Sequence, residues 1–118
     1  MMRLTGVGQV NIVYRDDSGG GEKNVTGSSL LTGRAIAGVT TTGLLGSAFV
    51  NGASEAGPSD MDVNVCTVNQ LAVGVLPRPA EALHFPGVIR MIALAKTGAT
   101  PAQMLAASRV IQSHCPLA

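Results

Sequence analysis

The chain changes character near Gly57. Residues 1–56 hold eleven of its fifteen glycines, whereas all six prolines, both cysteines and both histidines come later. Glycine loses the most backbone freedom on ordering and brings no side chain to bury. The partition therefore predicts two segments with different roles. Residues 1–56 read as a glycine-rich leader or signal-like segment and residues 57–118 as the folded unit, with the border at Gly52-Ala53-Ser54-Glu55-Ala56-Gly57-Pro58.

Upstream of the border, residues 35–54 carry no charge and Arg34 stands immediately before them. A basic residue, an apolar stretch over 35–50 and small residues at Ser54 and Ala56 make the three-part pattern of a secretory signal peptide cleaved after Ala56. Four glycines and three threonines dilute the stretch, so no stable membrane span is expected. Residues 1–33 precede this pattern, which leaves two readings open. Either they are an unusual leader or an upstream extension of the reading frame, or the whole chain folds and 35–50 is a buried helix or strand pair. Val7 to Arg15 has β-branched and aromatic content suited to a strand, and Asp16-Asp17-Ser18-Gly19-Gly20-Gly21 is turn material. A β-hairpin over 7–27 is the corresponding expectation.

Beyond Gly57 the punctuation predicts helices. Asp60 or Asp62 can cap an apolar segment running from Val63 through Cys66 to Val75 and stopped by Pro77-Arg78-Pro79, although its valines also allow a strand. Pro86 opens a second helix with Val88, Ile89, Met91, Ile92 and Leu94 in its body and Gly98 as its stop. Thr100-Pro101-Ala102-Gln103 is a capping box that starts a third, with Met104, Ala107, Ile111 and Cys115 on one face. The expected fold class is mainly α, a small domain of two to three helices.

Export makes a Cys66–Cys115 disulfide the expected fate of the two thiols. On chain-entropy grounds such a link contributes about 3–4 kcal/mol, which matters to a short domain with a thin core. Cys66, a terminal Cys115-Pro116 and an Ala-rich helix led by Thr100-Pro101 together resemble small secreted proteins of mycobacteria and related actinobacteria whose domain has no known function. The resemblance spans roughly Asp60 to Pro116 and implies a helical domain closed by two cysteines and exported. Pro77, Pro79 and Pro86 stand where the resemblance implies a continuous helical link.

Chemistry is sparse. Cys66, His84, His114 and Cys115 suit zinc by type, but no short pair pre-positions two ligands, so no metal and no cofactor is expected. A cysteine nucleophile lacks an orienting motif, since only Asp60, Asp62 and Glu81 supply carboxylates after Gly57. No catalytic residue is assigned. A net charge of +1 gives no chain-wide reason to expect nucleic acid or an anionic membrane, although a local patch can still exist. The expected function is a small exported, non-catalytic binding or envelope factor, secreted or in the cell envelope. Val88, Ile89 and Ile92 are its candidate interaction surface, facing an unknown protein, an envelope partner or a second copy. The alternative is a cytoplasmic α+β interaction module, or a weak helix-turn-helix nucleic-acid binder built on 91–109.

Overall fold

The computed structural model describes residues 2–4, 8–15, 22–62 and 87–117. Six strands come first: β1 (Met2–Leu4), β2 (Gln9–Arg15), β3 (Glu22–Leu30), β4 (Ala37–Thr42), β5 (Leu45–Val50) and β6 (Ala53–Asp60). One helix, α1 (Pro101–His114), follows. The strands make two antiparallel sheets ordered β1-β2-β3 and β4-β5-β6, each a meander of consecutive strands.

Period-2 alternation explains how the sheets face each other. Val10 and Ile12 of β2, Val25 of β3, and Ala48 and Val50 of β5 form one buried cluster, closed by Met61. Tyr14, Leu31, Ala37, Val39 and Ala56 pack around it. Phe49, between Ala48 and Val50, points to the outer face of the second sheet, paired with Gly38. It is among the largest fully buried side chains. There Met104 of α1 reaches over Gly38, where any Cβ would collide with it.

Two turns set the register of the second sheet. Gly43-Leu44 joins β4 to β5 with a positive φ at Gly43 alone, the pattern of a type II′ hairpin. Asn51-Gly52 joins β5 to β6 with φ of 53° and 83°, the double left-handed conformation of type I′. The Asn51 side chain also accepts a hydrogen bond from the Ile36 amide at 2.9 Å.

The described residues are thus mainly β with one helix, which corrects the expectation of a small, mainly α domain of two to three helices. The charge-free stretch 35–54 becomes β4, β5 and the start of β6, because its threonines and valines suit a pleated surface and its glycines supply the turns. The Ala56–Gly57 bond lies inside β6. The first expected helix falls mostly on residues 63–86, outside the described residues. The second is overturned, since residues 87–98 hold no helix. A helix this short is marginal without a surface to pack on, and its large side chains are exposed.

The expected disulfide is also overturned. Cys115 carries a free thiol, while Cys66 lies outside the described residues. The core that the link was expected to brace is instead built from strands that mostly precede Gly57. Of the expected helices α1 is present, with its capping box formed: the Thr100 hydroxyl accepts from the Gln103 amide and the Gln103 side chain accepts from the Thr100 amide.

Candidate functional site

Two regions hold the concentrated polar or apolar features outside the core. The first lies where β3 of one sheet meets β6 of the other. Val10 stands opposite three residues of β3, Gly27, Ser28 and Ser29, and Glu55 is an extra residue in β6 between Ser54 and Ala56. Both irregularities are β-bulges, which re-aim side chains. They bring the Glu55 carboxylate against β3, where it accepts from the Ser28 hydroxyl at 2.9 Å and from the Ser29 amide and hydroxyl at 2.8 and 2.9 Å. Gly27 makes room, because a Cβ there would press on Glu55 Cβ and Val10.

Hydrogen bonds from Ser29 and Ser28 hold the Glu55 carboxyl below its ordinary range. A carboxylate kept ionised and occupied by three donors has no proton to give at neutral pH. It is a strap between the sheets. Further along the same pair of strands, Lys23 Nζ meets Asp60 Oδ2 at 2.6 Å. Its hydrogen bond and charge lower the Asp60 pKa, and Asp60 raises that of Lys23 in return. Both groups are exposed, so the pair contributes little to stability.

The second region is residues 88–96. Its downstream end is pinned to β4: the Ala99 amide donates to Thr40 Oγ1 at 2.7 Å. Gly98 lies so close that a Cβ would run into the Thr41 carbonyl and Thr42 Oγ1. Immediately afterwards the capped α1 begins and is held against the second sheet, where Leu105 and Ser108 sit over Gly52. The pinned end and the docked helix leave the segment outside the sandwich. Val88 is 83% and Leu94 73% exposed, and Ile89, Met91 and Ile92 are exposed by 42–50%. Arg90 and Lys96 are exposed among them.

The sequence-derived residues are therefore distributed as follows. Val88, Ile89 and Ile92 lie together on this extended segment, joined by Met91 and Leu94. Cys115 is half-buried at the C-cap of α1, where its amide donates to the Ile111 carbonyl at 2.7 Å. His114 is exposed in the last helical turn. The helix-turn-helix layout over 91–109 is not formed, because its first helix is missing. The inward face of α1 carries Met104, Ser108, Ile111 and Cys115, with Ser108 buried and Ala107 exposed. Among the described residues no group of three or more His, Cys, Asp or Glu is placed to share a metal ion.

Glu55 with its two serines was not singled out from sequence, since a bulge-to-bulge contact leaves no local signature. Asn51-Gly52 between Val50 and Ala53 is a readable hairpin signal. Comparison with known proteins adds no relative: no family model, no curated protein and no solved structure matches the chain.

Proposed function

We propose that the protein is a small non-catalytic binding factor that engages its partner through residues 88–94. One observation carries the reading. Five large aliphatic side chains within seven positions are exposed together in a segment with neither helix nor strand, beside an anchored glycine and a docked helix. Scattered exposed aliphatics are ordinary, but a run of them is a contact surface or a liability. The strap at Glu55 ties the two sheets of the sandwich behind that segment.

The test is hydrogen exchange on the full chain as a monomer, together with the variant V88S/I89S/I92S. Amides of 88–94 should exchange fast, and the three substitutions together should change stability by no more than about 1.5 kcal/mol, the sum expected for surface sites. Strong protection in the monomer, or a loss of several kcal/mol, would make the segment part of the core and place the contact surface elsewhere.

A further inference from the structure

We infer that the surface taken by residues 88–96 is an anionic lipid bilayer, an assignment that rests on the contact reading above. Charge complementarity carries it. After Glu81 the chain contains Arg90, Lys96 and Arg109 but no Asp or Glu in residues 82–118. The acids of the described residues, Glu22, Glu55, Asp60 and Asp62, all lie between positions 22 and 62. Asp60 is paired with Lys23 and Glu55 with Ser28 and Ser29. The exposed segment is thus apolar and basic with no acid of its own.

The placement of the charges favours lipid over a second copy of the chain. Two copies joined through this segment would bring Arg90 and Lys96 toward like charges. A bilayer interface accepts both components at once: aliphatic side chains enter the acyl boundary while the long Arg90 and Lys96 stems let their charged ends reach phosphate. Seven residues from Val88 to Leu94 fall short of a span in either helical or extended form, so the contact is with one face of the membrane. The anchor at Gly98 and Ala99 on β4 fixes where the sandwich stands relative to that face.

The experiment is flotation of the full chain with vesicles of phosphatidylcholine alone and of phosphatidylcholine mixed with phosphatidylglycerol. The chain should float with the mixed vesicles, and binding should weaken as salt is raised. R90Q/K96Q should lower the partition coefficient about fivefold for each charge removed. I89S/I92S should lower it while leaving the fold intact by circular dichroism. Binding to neither vesicle, or equal binding to both that R90Q/K96Q leaves unchanged, overturns the lipid assignment. Hydrogen exchange separates the two failures. Fast exchange over 88–94 without vesicle binding rejects lipid and keeps the contact segment, whereas protection in the free monomer rejects both.

Discussion

Replacing Gly52 by alanine tests whether α1 sits on the β5–β6 turn. Gly52 has a φ of 83°, and an alanine in that left-handed region costs about 1–2 kcal/mol. Its Cβ would also stand 3.0 Å from Leu105 Cα, from Leu105 Cδ1 and from Ser108 Cβ. One of these is helix backbone, which a side-chain rotation cannot relieve, so overpacking adds about 1–3 kcal/mol. Reduced freedom of the unfolded chain returns about 0.4–1 kcal/mol, leaving a net loss of about 1–4.6 kcal/mol, centred near 3. Gly43 is the internal control. It occupies the other two-residue turn with a φ of 59° and has nothing within 4 Å of its would-be Cβ, so G43A carries the conformational cost alone, about 1–3 kcal/mol at the glycine position of a type II′ turn. Urea denaturation of both variants reads the difference. A G52A loss no larger than about 1 kcal/mol, the left-handed cost less the unfolded-chain gain, would refute the docking of α1 over this turn.

Acid should weaken the strap between the sheets. A Glu55 pKa held below its ordinary value contributes stability that is present above the unfolded value of about 4.3 and is lost as pH falls through the folded one. Asp60 adds in the same direction. The urea midpoint should therefore drop on going from neutral pH to about pH 3, and E55Q should be less stable at neutral pH with a shallower drop. Parallel curves for the two proteins would remove Glu55 from the account. C115S should change stability by no more than about 0.5 kcal/mol, against about 2–5 kcal/mol for loss of a native disulfide. A loss of the larger size, or a midpoint that falls on adding reductant, would restore the Cys66 link. T100A should cost about 1 kcal/mol by removing the hydroxyl half of the capping box, measured by the same denaturation.

Elements written in local chemistry were readable. The β-branched run up to Arg15 contains β2, and Thr100-Pro101-Ala102-Gln103 marks the start of α1 to the residue. A strand pair is only one of the readings open for 35–50, because the alternation of the second sheet is blurred by Gly38, Gly46 and Ala48, small residues that look like the apolar filling of a signal peptide. Their smallness has a tertiary cause: Gly38 yields to Met104 and Gly46 to Met61. Residues 88–95 carry helical spacing, but spacing does not say whether a surface exists for the apolar face to cover. Among the described residues none covers it, and residues 87–98 hold no helix. The same logic governs α1, where helix geometry alone favoured Ala107 as an inward residue and closeness to Gly52 instead buries Ser108. Val88, Ile89 and Ile92 were nameable from sequence as candidates, yet their exposure depends on where β4 pins Ala99.

Every described strand pairs with a neighbour in sequence. The helix does not: Met104 returns to Gly38, and the Arg34 side chain reaches the Pro116 carbonyl at 3.3 Å across 82 positions. Loop closure of that length is entropically more demanding than a hairpin turn, so the sheets and the helix are separable units of opening. Lifting α1 breaks no strand pairing, but it uncovers the face on which Phe49 lies. A stretch of fourteen residues at the far end of the chain thus shields one of the largest buried side chains of the second sheet. Transient release of the tail, rather than melting of the strands, is then the event that adds a second sticky face to the one already exposed at residues 88–94, and stiffening α1 keeps that second face covered.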